Sequence, residues 1–295
     1  MLNENGMLNK DRALNKNIET FIGCDKSFHE AKFVLVGVPF DSTTSYRPGA
    51  RFAMKNMRAE SYAIETYSPY QDKDLEDTAV FDAGDLELSI GNTEMVMGQI
   101  EEFIETIMKA KKVPAIIGGE HLISFPAIKA IHKYYPDMHV LHFDAHADLR
   151  DDYLGAKLSH ATVMRRVWEL LGDNRVHQFG IRSGEKSEFL WGKNHVNTQK
   201  FNFDGLGHIV ESLKGKPIYL TIDLDVLDPS IFPGTGTPEA GGVSFSELLG
   251  AINLLHGSNI IGFDMVELSP IHDPSGVSTA VACKLLREIL LALEV

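Results

Sequence analysis

Residues 139–152 read HVLHFDAHADLRDD, and this stretch decides the fold. Val140, Leu141 and Phe143 have the apolar, partly β-branched character of a strand buried on both faces. The run then changes character, with Asp144, His146 and Asp148 following at intervals of two. Side chains two apart on a strand point the same way, roughly 6–7 Å apart at about 3.3 Å per residue. Three good metal-binding side chains are therefore expected to leave one face together. A single aspartate here reads as a solvated strand end. A buried Asp-x-His-x-Asp needs a positive partner, and a divalent cation is the simplest one.

The same pattern recurs outward from this stretch. VPAIIGGEH (113–121) is an apolar run ending in Glu120 and His121, with Gly118-Gly119 permitting a tight turn. PIYLTIDLDVLDPS (217–230) ends in Asp223 and Asp225, and NIIGFDMVELSP (259–270) ends at Glu267. Further strands are expected at 32–38, 80–88 and 175–183. Helical apolar spacing predicts helices over 54–66, 93–111, 124–135, 159–171, 203–213, 245–255 and 278–291. Strands alternating with helices, most strands being apolar throughout, predict one parallel α/β sheet covered on both faces. Ligands of such sheets bind at the carboxyl ends of the strands. No linker or repeat divides the chain, so residues 31–295 are expected to form a single catalytic domain. A polar, loosely held N-terminal arm, 1–30, precedes it, with a short helix near 12–22.

The 295 residues are 44% hydrophobic, enough for a large core without disulfides. Cys24 and Cys283 match no metal or disulfide spacing and are expected as free thiols in a reducing cytoplasm. The N-terminal stretch lacks an apolar h-region, and no apolar run reaches the roughly 18 residues that span a bilayer. The net charge of −13 argues against nucleic acid or an anionic membrane as the partner. It is compatible with a small cationic substrate.

If the four acid-tipped strands are parallel, His121, Asp144, His146, Asp148, Asp223, Asp225 and Glu267 converge on one edge of the sheet. Oxygen and nitrogen donors without sulfur suit Mn²⁺ and disfavour a structural zinc or copper site. Four aspartates balance two divalent ions better than one, and carboxylates can bridge a pair about 3.5–4 Å apart.

In order, the motifs GGEH, DAHAD, SHATVMRR, FGIRSG, DLDVLDPS, GTGTPEAGG and DMVELSP resemble the ureohydrolase family, which contains arginases and agmatinases. The match runs from about residue 32 to the C-terminus. DLRDDYLGAKLSHATVMRR and FGIRSGEKSEFLW are most similar to bacterial agmatinases. The resemblance implies a three-layer α/β/α sandwich with a mostly parallel central sheet, two Mn²⁺ ions per chain, and trimers or hexamers. It implies that His121, Asp144, Asp148 and Asp223 hold one ion and His146, Asp144, Asp223 and Asp225 the other, with Asp144 and Asp223 bridging. His160 resembles the family's proton-handling histidine, which would protonate a leaving amine. Glu267 would clamp a guanidinium through two parallel hydrogen bonds. Two Lewis-acidic ions bring the pKa of a water from 15.7 toward about 7, which a delocalised and poorly electrophilic guanidinium requires. His142 shares the parity of Asp144 but lies deeper, and reads as a satisfied core histidine.

The expected reaction is hydrolysis of agmatine to putrescine and urea, feeding polyamine synthesis. Arg150, Asp151 and Asp152 would form the substrate rim, and its acids suit a terminal ammonium better than a carboxylate. Arg150 could instead pair a carboxylate, as in guanidinobutyrate or arginine; pairing with Asp151 or Asp152 is the expectation. Two positions depart from the family pattern. Ala53-Met54 stands where Gly-Pro is frequent and is expected to alter loop geometry at the rim. Glu120 makes GGEH of the commoner GGDH and, not being expected to bind metal, should change little. A one-metal deacetylase of similar topology, a metal-binding protein without catalysis, and another ureohydrolase acting on guanidinobutyrate, arginine or a formimino compound are the rival readings. The first has no use for His121 and Asp148 together, the second none for His160 and Glu267.

Overall fold

A computed structural model describes residues 14–15 and 19–294. The apolar runs form strands β2 (Phe33–Val38), β5 (Val80–Leu86), β6 (Val113–Gly118), β7 (His139–Phe143), β8 (Val176–Ile181), β10 (Ile218–Asp223) and β11 (Ile260–Val266). A polar edge strand, β9 (Asn197–Lys200), and the two-residue β1 (Leu14–Asn15) complete the main sheet, while β3 (Tyr67–Ser68) and β4 (Lys73–Asp74) pair separately. The sheet order is β1-β5-β2-β6-β11-β10-β7-β8-β9, parallel except for β1 against β5. The helices are α1 (Ala53–Ser61), α2 (Thr93–Lys109), α3 (Ser124–His132), α4 (Val163–Leu171), α5 (Lys186–Gly192), α6 (Leu206–Ser212), α7 (Phe245–Asn253) and α8 (Val277–Leu293).

Alternation along the strands divides the core in two. Leu141 and Phe143 of β7 join the apolar layer under α1, α6, α7 and α8, whereas Val140 joins the layer under α2, α3 and α4. The result is the expected three-layer α/β/α sandwich. The four central strands, β6-β11-β10-β7, are those whose sequences end in acids and histidines, so their carboxyl ends lie side by side. Among the described residues no helix is long and apolar enough to cross a membrane.

Several local expectations are corrected. No helix occupies 12–22 among the described residues. Leu14–Asn15 instead pairs antiparallel with Leu86 and Asp85, and residues 12–13 and 16–18 lie outside the described residues. Residues 19–30 are packed rather than loosely held. Phe21 and Cys24 are fully buried, and the Phe21 amide donates to Asp82 Oδ2 at 2.9 Å. Phe21, Cys24 and Phe28 are the buried side chains of this stretch, too few among polar neighbours to mark an element in the sequence. Ala53 and Met54 open α1 and sink into the core, so this departure from the family pattern bears on packing and not on the rim. Helix α5 arises where no helix was expected, nucleated by a reciprocal capping box between Glu185 and Glu188.

Candidate functional site

Strand β7 ends at Phe143, so strand parity does not by itself carry Asp144, His146 and Asp148 to one place. The chain turns instead. Asp148 has φ +53 and Glu267 has φ +65, left-handed conformations that are costly for side chains larger than glycine. Both turns aim a carboxylate back over the sheet edge.

His121 Nδ1 is the centre of the cluster. It lies 3.1 Å from Asp144 Oδ2, 3.2 Å from Asp148 Oδ2 and 3.4 Å from Asp223 Oδ2, all of them buried. It nevertheless has no hydrogen-bond partner. The opposite ring nitrogen explains why. Thr221 Oγ1 donates its only proton to Asp264 Oδ1 at 2.6 Å, so at 3.0 Å it can only accept from His121 Nε2–H. With Nε2–H committed to Thr221, Nδ1 is the ring atom that faces three carboxylate oxygens: without metal the aspartates favour a proton there, and a cation in their midst takes the place of that proton on the Nδ1 lone pair. Beside it, His146 Nδ1 lies 2.9 Å from Asp225 Oδ2 and 3.6 Å from Asp144 Oδ1. Asp144 is common to two groups of possible ligand atoms, one with His121 and His142 and one with His146 and Asp225.

The electrostatics agree. Burial, then the charge of Asp144, pushes the Asp148 carboxyl up to about 7. Burial and the neighbouring charges of Asp225 and Asp144 push Asp223 well above the usual range. Burial opposes charge on Asp144 too, but His142, His121 and His146 outweigh it and hold this carboxyl well below its ordinary value. Burial works against a charged His121 ring, and the surrounding aspartates overcome it. So many buried acids cannot all ionise without added positive charge. The donor set, four carboxylates and two imidazoles without sulfur, fits hard divalent ions of the Mn²⁺ type. His142 is the satisfied core residue expected: its Nε2 meets Asp144 Oδ2 at 2.7 Å, and Gln178 Nε2 donates to its Nδ1 at 3.0 Å.

A cavity of about 310 Å³ opens beside this cluster, lined by His146, Asp148, Arg150, Tyr153, His160 and Glu267 among others. Glu267 Oε1 accepts the His121 backbone N–H at 2.8 Å. His160 Nε2 lies 3.3 Å from Ser45 Oγ, and its amide donates to Thr43 Oγ1 at 3.2 Å. Burial lowers the His160 pKa to about 4, leaving it neutral.

The rim differs from expectation. Arg150 pairs with neither Asp151 nor Asp152, but with Glu185 at 3.2 Å and Glu188 at 3.4 Å, its guanidinium 4.7 Å from the centre of the Tyr153 ring. Asp151 pairs with Arg166 at 2.8 Å, Asp152 accepts from the Gly155 amide, and neither lines the cavity. Sequence reasoning missed Glu185 and Glu188. The available signal was GEKSE, two acids three apart at a helix start. It also missed Thr221 and Asp264; an aspartate inside the apolar run NIIGFDMV was the signal that a buried partner existed.

Comparison with known proteins follows the same lines. The profile of the arginase family matches residues 31–292. The agmatinase of Bacillus cereus is 47% identical over 277 residues, covering 92% of this chain and 96% of that protein. The agmatinase of Bacillus subtilis is 46% identical with the same coverage. A crystal structure from Clostridium difficile superposes with a TM-score of 0.89 at 52% identity, over 90% of this chain and 98% of that one.

Proposed function

This chain belongs to the arginase family, and from that premise we propose that it hydrolyses agmatine to putrescine and urea with a pair of Mn²⁺ ions. What supports the reading most is the unpartnered His121 Nδ1 ringed by three buried carboxylates beside a cavity of small-molecule size. His121, Asp144, Asp148 and Asp223 would hold one ion, and His146, Asp144, Asp223 and Asp225 the other. Bound there, divalent ions supply the Lewis acidity that brings water toward hydroxide at neutral pH.

The remaining work falls to the protein's own groups. One oxygen of Glu267 is held by the His121 amide, which leaves Oε2 to accept N–H donors of a guanidinium. His160, neutral at working pH, takes up the proton shed by the attacking water and returns it to the departing amine nitrogen. C–N cleavage then yields urea and the free amine. Arg150, already neutralised by Glu185 and Glu188, offers no spare cation to a substrate carboxylate. One guanidinium against two glutamates leaves the mouth negative, which suits the terminal ammonium of agmatine. Putrescine as the product would feed polyamine synthesis, the free thiols of Cys24 and Cys283 suit a reducing cytoplasm, and the family resemblance implies trimers or hexamers; light scattering tests the last.

The deciding experiment is urea release from agmatine, arginine and guanidinobutyrate, each with and without Mn²⁺, alongside a metal count. Mn-dependent urea from agmatine, well above the other two, is expected. Arginine or guanidinobutyrate hydrolysed at least as efficiently would move the substrate. No urea from any of them, with two ions bound, would defeat the reading and leave a metal-binding protein without catalysis.

A further inference from the structure

Glu120 has no part in the reading above, yet its side chain is completely buried. Neutral groups hold it. The Thr43 amide donates to Oε2 at 2.9 Å, the Thr43 hydroxyl makes a short hydrogen bond to Oε1, and the Thr44 hydroxyl donates to Oε2 at 3.1 Å. Burial accordingly raises its pKa to about 7. A buried carboxylate held this way is costly for stability, and its effect is to fix one geometry.

What it fixes can be followed atom by atom. Thr43 Oγ1, besides donating to Glu120, accepts the backbone N–H of His160. Two residues on, Ser45 Oγ meets His160 Nε2. The base of the loop is equally constrained. Glu120 N donates to Phe40 O at 2.7 Å, and a Cβ on Gly119 would fall 1.8 Å from that same oxygen. Asp41 pins the far end through the Gly49 amide at 2.9 Å.

We propose that Glu120 is a positioning residue for His160: by anchoring Thr43 and Thr44 it sets the loop that orients both the backbone and Nε2 of that histidine at the cavity. The proposal rests on reading His160 as the proton-handling group. Side-chain length matters here, contrary to the expectation that GGEH in place of GGDH changes little. An aspartate would withdraw the carboxylate by one methylene, about 1.5 Å, and its three donors could follow only if the loop moved.

The test uses the full chain with Glu120→Gln, Thr43→Val and the double variant. In Glu120→Gln one acceptor becomes a donor facing donors. Thr43→Val nearly preserves shape and carries the test if the first variant folds poorly. Mn-loaded single variants are expected to keep the wild-type metal count. Their kcat on agmatine should fall at least about tenfold while KM stays within about threefold, since acid–base help is worth about 10²–10⁴. The double variant should lose no more than the worse single one. A second readout needs no activity. Carbethoxylation of His160 in the metal-free chain, followed by peptide mass spectrometry, should become several-fold faster once Ser45 no longer holds Nε2. Wild-type labelling rates in the variants, or losses that multiply in the double variant, would overturn the proposal. So would metal content falling in step with kcat, which would mean that Glu120 acts through its neighbour His121. Should the wild-type chain hydrolyse no guanidine, the functional reading fails, while His160 labelling still decides the role of Glu120.

Discussion

Thr221→Val exchanges one hydroxyl for a methyl in the middle of the sheet. The two side chains have nearly the same shape, so the effect is one of hydrogen bonding and not of cavity formation. Besides a long contact to Ser124 Oγ at 3.4 Å, two close partners lose theirs. Asp264 Oδ1 gives up a donor at 2.6 Å, while the Tyr219 hydroxyl, on the other oxygen, and the nearby Ser124 hydroxyl stay with this carboxyl. His121 Nε2–H gives up its acceptor at 3.0 Å. Both residues are buried to 1% exposure or less, so no solvent replaces what is lost. A buried polar group left unpaired costs about 1–3 kcal/mol, which puts the expected loss of folding stability at about 2–6 kcal/mol. His121 also loses the contact that fixes its tautomer and ring orientation. Mn²⁺ affinity should therefore fall about 10–100-fold, the usual effect of removing the partner behind a ligand. Urea unfolding of the metal-free chain measures the first quantity and calorimetric Mn²⁺ titration the second, with Thr221→Ser, which keeps the hydroxyl, as the control. A valine variant within about 0.5 kcal/mol of wild type that binds Mn²⁺ equally would refute the His121–Thr221–Asp264 relay, and with it the argument that Thr221 leaves Nδ1 as the ring atom turned to the carboxylates.

His177 supplies a pH prediction remote from the cavity: burial, with His139 adding to it, lowers its pKa from 6.5 to about 4. The unfolded chain then binds a proton that the folded chain refuses, so stability present above pH 6.5 is lost as pH falls toward 4, by up to roughly 3 kcal/mol. Denaturant titrations at the two ends of that window should show a smaller acid loss in His177→Gln than in wild type, and equal losses would refute the assignment. Asp148 behaves in the opposite sense in the metal-free chain, because its folded pKa is raised to about 7. The folded state holds the extra proton, and stability falls as pH rises through 7. Asp148→Asn should be more stable than wild type at pH 8 without metal and yet bind Mn²⁺ more weakly. A less stable metal-free variant would show that burial and the charge of Asp144 are not what raises this group.

Sequence alone could expose the cluster of acids and histidines because a parallel sheet gathers its strand ends, whatever the order of its strands. An apolar run closing in Asp144, in Asp223 or in His121 is recognisable locally, and convergence needs no more than parallelism. Partner choice obeys a different rule. Arg150 found Glu185 and Glu188, not Asp151 or Asp152, because α5 brings its first turn against the loop after β7, and nothing within residues 148–153 encodes that approach. Short polar elements such as β9 and β1 were invisible for a related reason, since edge pairing requires no apolar alternation. Asp264 marks the boundary most clearly. An aspartate within NIIGFDMV announces a buried partner, but its partner Thr221 stands directly beside it in register only because β11 lies next to β10. The relay continues to His121 only because β6 flanks β11 on the other side. The motifs specify which groups reach the site; the strand order specifies which of them are held, and a single hydroxyl on β10 depends entirely on the second kind of information.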